Sequence, residues 1–144
     1  MLKLGRRSVL GGAAAATGLA AFGRPMPLRA ADAVDVEAAK KEGRVVLYTS
    51  LDTKIVDSII AGFTAKYGVK VEYFRGGSAD VTSKVLAEAD AGALQADMVD
   101  ASDVGALLLM KERGLLAPYN SPSTVSVPAN LRDPDGTWVA DRLT

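Results

Sequence analysis

The sequence RVVLYTSLD, residues 44–52, runs from a nearly continuous apolar segment into a short polar turn. An apolar run without alternation is typical of a strand that is buried on both faces, as in a parallel sheet. Two later strand-like stretches also run into polar turns: residues 69–74, which alternate as in a strand nearer the edge of the sheet, precede the turn at 75–78, and Met98-Val99 precede the turn at 100–103. Each turn opens a helical pattern, and this alternation of strands and helices predicts an α/β fold with a parallel sheet.

The helical patterns have recognisable ends. We expect helices over Asp35–Glu42 and about Thr53–Tyr67, ended by Gly43 and Gly68, because glycine readily adopts the left-handed conformation of a C-terminal cap. The second helix carries a wide apolar stripe, which should face the sheet. The stripe consists of Ile55, Val56, Ile59, Ile60, Phe63 and Tyr67.

The later part of the chain contains two more helical patterns and then a change of character. A helix from about Asp80 should turn Val81, Val85, Leu86 and Ala89 inward, and a helix from Asp103 should end at Gly114. Tyr48 and Tyr73 are interpreted as core aromatics of the strands. Beyond Pro118 we expect a loop at 120–124, a turn at 133–136 and a strand-like segment at 137–143.

The first 33 residues are interpreted as an export signal. Lys3, Arg6 and Arg7 precede a charge-free run, residues 9–22, that is rich in glycine and alanine and too short for a membrane helix. The adjacent arginines favour the twin-arginine route over general secretion, although Gly5 stands where Ser or Thr is usual. We expect cleavage after Ala33 or, alternatively, after position 30, so residues 1–33 form the signal and 34–144 the folded part.

The composition excludes several classes of protein. The sequence contains no histidine and no cysteine, which removes Ser-His-Asp hydrolysis, thiolate or imidazole metal sites and a lipid-attachment cysteine from these residues. The signal holds five of the 17 basic and one of the 17 acidic side chains, so the remainder has a net charge of −4. This balance argues against nucleic-acid binding and predicts an exported protein without a lipid anchor.

The three polar turns are the candidate binding positions, because open α/β sheets bind ligands at the carboxyl ends of their strands. Small hydroxyl residues at helix N-termini can help to hold an anion or a polar ligand, although capping the helix is the simpler role. The carboxylates of the turns are interpreted first as caps or solvated charges and second as catalytic or metal-binding groups. They are Asp52, Asp80, Asp100 and Asp103.

Two further side chains near the turns have open roles. Arg75 either pairs with an anionic ligand or is a solvated charge on the rim. Trp138 either packs under the last loop or lines the cleft. Gly76-Gly77 allows a close backbone approach but lacks the spacing of a nucleotide-binding motif.

Five blocks of sequence, in this order and spacing, resemble the opening of extracellular solute-binding proteins of ABC importers. The blocks are EGRVVLYTS (42–50), FTAKYGVKVE (63–72), ADMV (96–99), GLLAPY (114–119) and DPDGTW (133–138). They are most similar to the branch of ferric-iron, 2-aminoethylphosphonate and polyamine or thiamine receptors. The resemblance implies a periplasmic-binding-protein-like fold, in which a parallel sheet with helices on both faces forms the first of two lobes. We expect residues 34–144 to be part of that lobe and to stop before the second lobe.

The resemblance also implies a function. It implies a monomeric periplasmic receptor that is not an enzyme, needs no cofactor, captures a small solute and delivers it to an ABC permease in the inner membrane. Ferric-binding relatives place His and Glu near the positions of Asp52 and Ser102, so Fe³⁺ is one expected solute and an anionic or zwitterionic organic molecule is the other. The cleft residues implied by position are Thr49, Ser50, Leu51, Asp52, Gly77, Ser78 and Ser102.

Two alternatives of other classes stay open at this point. An exported α/β enzyme using Asp carboxylates is possible, but the sequence lacks His, Cys and the Gly-x-Ser-x-Gly motif of a nucleophile elbow. A ligand-sensing ectodomain would need a membrane span after Thr144.

We predict that residues 34–144 by themselves bind no solute tightly, because the resemblance assigns half of the cleft wall to a second lobe. Calorimetric titration of this segment with Fe³⁺ or an organic solute should show no micromolar binding. Micromolar binding in that titration would contradict the assignment.

Overall fold

The computed structural model describes residues 35–119 and 121–141; the predicted export signal, the end of the strand-like segment and position 120 lie outside the described residues. Strands and helices alternate, as the sequence predicted. Their order is α1 (Val36–Glu42), β1 (Arg44–Thr49), α2 (Thr53–Tyr67), β2 (Lys70–Arg75), α3 (Ser78–Asp90), β3 (Met98–Asp100) and α4 (Val104–Glu112), followed by two 3-10 helices, Pro122–Ser126 and Ala129–Leu131. No described helix is long and apolar enough to cross a membrane.

The three strands form one parallel sheet in the order β2-β1-β3. Thr49, at the end of β1, lies opposite Arg75 of β2 and Asp100 of β3. Asp97 extends the pairing with β1, since its amide donates to the Val46 carbonyl at 2.9 Å and its carboxylate accepts from the Val46 amide at 2.8 Å. The register therefore places the carboxyl ends of all three strands at the same edge.

Helices cover both faces of the sheet, which confirms the predicted architecture. On one face, Tyr48 of β1 packs with Val81 and Val85 of α3 and Met110 of α4. Neighbouring strand residues point to opposite faces, and Phe74 packs against this cluster. The preceding residue, Tyr73, therefore points to the other face, where its hydroxyl donates to Asp57 of α2 at 3.1 Å.

Most element boundaries agree with the sequence-based expectations, but α3 does not. Gly43 and Gly68 adopt the left-handed conformation at the ends of α1 and α2, with φ of 81° and 71°. Helix α3 begins at Ser78, two residues before the expected start. The reason is that Asp80 is the third residue of the helix, where its carboxylate accepts from the Gly77 amide at 3.1 Å, so it lies within the first turn rather than preceding the helix.

The expected burial of the apolar stripe on α2 is wrong for most of its members. Val56 is fully buried, but Ile55, Ile59 and Phe63 are 49%, 53% and 37% exposed. The helix contacts the sheet along the row that contains Val56, and no described segment covers the neighbouring row. Tyr73 was expected in the core, but it is 38% exposed, because no described segment covers its part of this face.

The segment after Pro118 also differs from the expectation. Residues 122–126 form a 3-10 helix rather than a loop, because Pro122 follows a cap in which the Ser121 hydroxyl accepts from the Ser123 amide at 3.3 Å. The strand-like part of 137–143 that is described makes one isolated antiparallel bridge, between Arg132 and Val139. The turn at 133–136 is confirmed by a 3.0 Å bond from the Gly136 amide to the Asp133 carbonyl.

A buried ion pair connects the turn at residues 133–137 to α4. Asp133, 7% exposed, accepts from the Lys111 ammonium at 2.6 Å and from the Thr137 hydroxyl and amide at 2.7 and 3.2 Å. The same ammonium reaches Asp135 at 2.8 Å. The hydrogen bond from Lys111 lowers the pKa of the Asp133 carboxyl below its usual range, and the bonds from Thr137 act in the same direction.

We predict that Met110→Ala costs about 2–5 kcal/mol in the free energy of unfolding, because it leaves a cavity in the core between α4 and the sheet. Leu108→Ala is the control on the same helix, since Leu108 is 45% exposed, and it should cost far less. Urea unfolding of both variants measures the difference, and equal losses would show that Met110 is not in the core.

We predict that the Asp133 ion pair makes stability depend on acid pH. Because the folded pKa is depressed, the contribution is present above the unfolded pKa of about 3.9 and is lost as pH falls through the folded value. In Asp133→Asn, the decline in unfolding free energy below pH ~4 should therefore be shallower than in the wild type. Glu112→Gln, at an exposed position of α4, should keep the wild-type slope, and identical slopes for all three proteins would refute the role of Asp133.

Candidate functional site

The turn after β1 is joined to the ends of both neighbouring strands. The Ser50 amide donates to the Asp100 carbonyl at 3.0 Å, and the Gly76 amide donates to the Thr49 carbonyl at 3.1 Å. Thr49 is fully buried; its hydroxyl donates to the Asp100 carboxylate at 2.5 Å and accepts from the Leu51 amide at 3.0 Å. The backbone pairing of the sheet thus continues into the turns and holds them together.

Two serines connect the second turn to the third. The Ser78 and Ser102 hydroxyl oxygens are 2.9 Å apart, and the Ser102 amide donates to the Ser78 oxygen at 2.9 Å. Two hydroxyl hydrogens are present and only one can lie between the oxygens. Whichever serine donates within the pair, the other hydroxyl hydrogen has no acceptor among the described residues. This edge therefore presents one O–H donor to an incoming acceptor.

Three helices of nine or more residues, α2, α3 and α4, begin at this edge. Their N-termini carry partial positive charge, which favours an anionic or electron-rich group nearby. Gly76 lies in a tight space, because a Cβ there would lie 3.0 Å from the Asp80 Cβ and 3.2 Å from the Phe74 ring, so a larger residue would displace one of them by a few tenths of an ångström. Gly77 has no such restriction, since the nearest atom would be 3.4 Å away.

Three of the four carboxylates of the turns cap helices, which supports the simpler of their two interpretations. Asp52 accepts from the Lys54 amide and Asp103 from the Gly105 amide, both at 2.9 Å, and Asp80 accepts from the Gly77 amide at 3.1 Å. The fourth, Asp100, accepts from the Thr49 hydroxyl. Within 35–119 and 121–141, no three acidic, histidine or cysteine side chains gather into a group that could hold a metal ion. Each of these three capping carboxylates thus uses one of its two oxygens to cap a helix.

The predicted contact residues do not all present a side chain to solvent. The Ser50 hydroxyl oxygen is enclosed and has no hydrogen-bond partner among the described residues, so only a rearrangement of the turn would bring it to a solute. Arg75 is exposed, and its Nε donates to the Leu51 carbonyl at 3.1 Å. Its terminal nitrogens make no hydrogen bond to the described residues, which leaves a cation beside the first turn. The role of each residue as a solute contact stays a prediction.

A cavity of about 300 Å³ next to the third turn was not predicted from the sequence. It lies between the end of β3, the start of α4 and residues 131–141, and Asp100, Ser102 and Trp138 are among its lining residues. The indole Nε1 of Trp138 is enclosed without a partner among the described residues. Trp138 also lines a second cavity among residues 119–139 of the last loop, so both roles considered for it stay open. The sequence signal was an aromatic residue two positions after Gly136, which does not specify the surface it faces.

Known proteins share this arrangement of strands and helices. No family model matches the chain. A curated relative, the Fe(3+)-binding periplasmic protein of Serratia marcescens, is 26% identical over 107 residues, which are 74% of this chain and 31% of that protein. Among solved structures, the Trichodesmium protein IdiA (FutA) in complex with iron and citrate is 30% identical with a TM-score of 0.59, covering 67% of this chain and 30% of that one.

A second solved structure has a different ligand. The periplasmic binding protein AfuA from Actinobacillus pleuropneumoniae, with fructose-6-phosphate bound, is 30% identical with a TM-score of 0.58, covering 65% of this chain and 28% of that one. The chain thus spans about 30% of the length of the proteins it matches. These are binding proteins rather than enzymes, in agreement with the expected class. The chain is therefore related to the periplasmic binding proteins and has the fold of part of one.

Proposed function

We propose that this chain forms one wall of the solute cleft in a periplasmic binding protein, which captures a small solute and delivers it to an ABC permease. The observation that carries the proposal is the set of three hydrogen-bonded turns at the carboxyl edge of the sheet, in a fold shared with binding proteins. Closure of two lobes around a ligand is an established type of domain motion. In this proposal the turns supply the contacts from one side.

We further propose an organic solute with an oxyanion group, such as a carboxylate or a phosphate. The edge offers a hydroxyl donor at Ser78 or Ser102, three helix N-termini and the exposed Arg75 guanidinium, all of which suit an acceptor or a negative charge. The known ligands of the two related structures also contain such groups, since citrate has carboxylates and fructose-6-phosphate has a phosphate. The hydrogen-bond donors of this edge and the ligands of both related structures therefore support this class.

Ferric iron is the second candidate, and the name of the Serratia marcescens relative favours it. Fe³⁺ prefers hard oxygen ligands, and the Asp52 carboxylate keeps one oxygen that does not cap α2. Against iron, Ser102 stands where the resemblance places a carboxylate in ferric-binding relatives, and the described residues bring no three acidic side chains together. A solute that contains both Fe³⁺ and an organic oxyanion would agree with the name of the Serratia marcescens relative and with the donors at this edge.

We also propose that the chain is exported as its sequence indicates. The chain would leave the cytoplasm by the twin-arginine route, lose residues 1–33 and act as a monomer without a lipid anchor. The basic N-terminal segment and the absence of cysteine support these steps.

Native mass spectrometry of the mature protein, as the cell exports it, tests the solute class. We expect a bound organic acid or phosphate ester, released on denaturation, as an added mass. Iron found without any organic mass would favour the second candidate, and a protein that never carries a ligand would contradict the receptor function.

Substitution of the serine pair tests the site. With ferric citrate, citrate alone and fructose-6-phosphate as probes, at least one of Ser78→Ala and Ser102→Ala should weaken the binding of the preferred probe about five- to tenfold, the effect of one lost hydrogen bond, because one hydroxyl of the pair donates outward. Ser83→Ala, at an exposed position of α3, is the matched control and should bind like the wild type. Unchanged affinity in both serine variants would place the solute elsewhere.

A further inference from the structure

The carboxylate of Glu88, on α3, contacts both the strand that leads to the first turn and the loop that leads to β3 and the third turn. Both of its oxygens lie 2.9 Å from the Tyr48 hydroxyl of β1, and Oε2 accepts from the Gln95 amide, in the loop before β3, at 3.2 Å. Glu88 itself belongs to α3, where its Oε1 accepts from the Lys84 ammonium at 2.6 Å. One side chain thus connects β1, α3 and the approach to β3.

This connection lies far from the turns themselves. Ten residues of helix separate Glu88 from Ser78, which corresponds to about 15 Å at 1.5 Å per residue. Tyr48 directly precedes Thr49, and Gln95 lies three residues before β3. Movement of α3 along its axis would therefore break the contacts of Glu88 and separate Ser78 from Ser102 at the same time.

The environment makes the contact strong. The Glu88 side chain is 19% exposed and the Lys84 side chain 34%, and the ammonium also lies 5.0 Å from the Tyr48 ring centre and 5.3 Å from that of Phe74. Hydrogen bonds to a charged group are stronger than neutral ones, and partial burial limits the competition from water. The carboxylate is therefore a fixed point of the structure rather than a mobile surface charge.

We infer that Glu88 is a positioning residue, which holds β1, α3 and the loop before β3 in the one arrangement that brings the three turns together. The inference rests on the proposed function in treating the turns as a solute-binding wall. Glu88 does not touch the solute; it acts through the placement of Ser78 against Ser102 and of Ser50 against Asp100.

Hydrogen exchange of single amides in the mature protein, without any solute, tests this role. The reporters are the Ser102 amide, which donates to the Ser78 hydroxyl, and the Ser50 amide, which donates to the Asp100 carbonyl. In Glu88→Ala both should exchange about tenfold faster, since the loss of a charge-assisted anchor promotes local opening. The Gly68 amide, which donates to Thr64 at the end of α2, should change less than twofold.

Two further variants make the test decisive. Tyr48→Phe keeps the ring in the core but removes the hydroxyl that contacts Glu88. It should therefore accelerate exchange at the Ser50 and Ser102 amides by a smaller factor. If Glu88→Ala does not fold, the exchange rates of Tyr48→Phe test the role of Glu88. Glu37→Ala removes an exposed carboxylate that also pairs with a lysine, Lys40, and should leave all three amides unchanged.

The pattern of rates separates positioning from general stabilisation. Faster exchange at Ser50 and Ser102 with a steady Gly68 supports the inference. The inference is overturned if exchange becomes equally faster at all three amides. It is also overturned if neither Glu88→Ala nor Tyr48→Phe makes exchange faster at the Ser50 and Ser102 amides. Because no solute is present, the result does not depend on whether the proposed receptor function is correct.

Discussion

The parallel pairing of β1 with a strand on each side is the constraint on which the rest of this structure depends. The pairing sets Thr49 opposite both Arg75 and Asp100, so the three strands end together. The backbone bonds of Ser50 and Gly76 then carry the pairing past the strand ends. Without this register, three ordinary helix starts would not form a common surface.

The chemistry of that surface follows from how its polar groups are used. Three of the four carboxylates of the turns accept backbone amides at the helix starts through one oxygen each, which stabilises the helices. Donors remain at the serine pair and at Arg75. A surface that keeps hydroxyl and guanidinium donors beside three helix N-termini can hold a ligand with an oxyanion group.

The local features of the fold were predictable from sequence because they depend on neighbouring residues. The ends of α1 and α2 at Gly43 and Gly68 follow from the conformational freedom of glycine, and β1 has the bounds that its apolar run indicates. The start of α3 was not predictable, because both Ser78 and Asp80 are residues that can cap a helix. Only the hydrogen bond from the Gly77 amide to the Asp80 carboxylate shows that Asp80 lies inside the first turn.

Features that depend on residues far apart in the sequence could not be predicted from it. Ser78 and Ser102 are 24 positions apart, and their contact requires the strand order, which periodicity does not determine. Likewise, the apolar stripe of α2 indicates a face that prefers burial but not the segment that covers it, so Ile59 is half exposed among the described residues. The contacts of Glu88 with Tyr48 and Gln95 have no sequence signature at all.

The most direct test of the central claim is a crystal structure of the mature protein with the solute that it carries from the periplasm. The account predicts an oxyanion group of that solute within hydrogen-bond distance of the Ser78 or Ser102 hydroxyl, at the carboxyl edge of the sheet. A solute bound away from all three turns would contradict the claim that this edge is the binding wall.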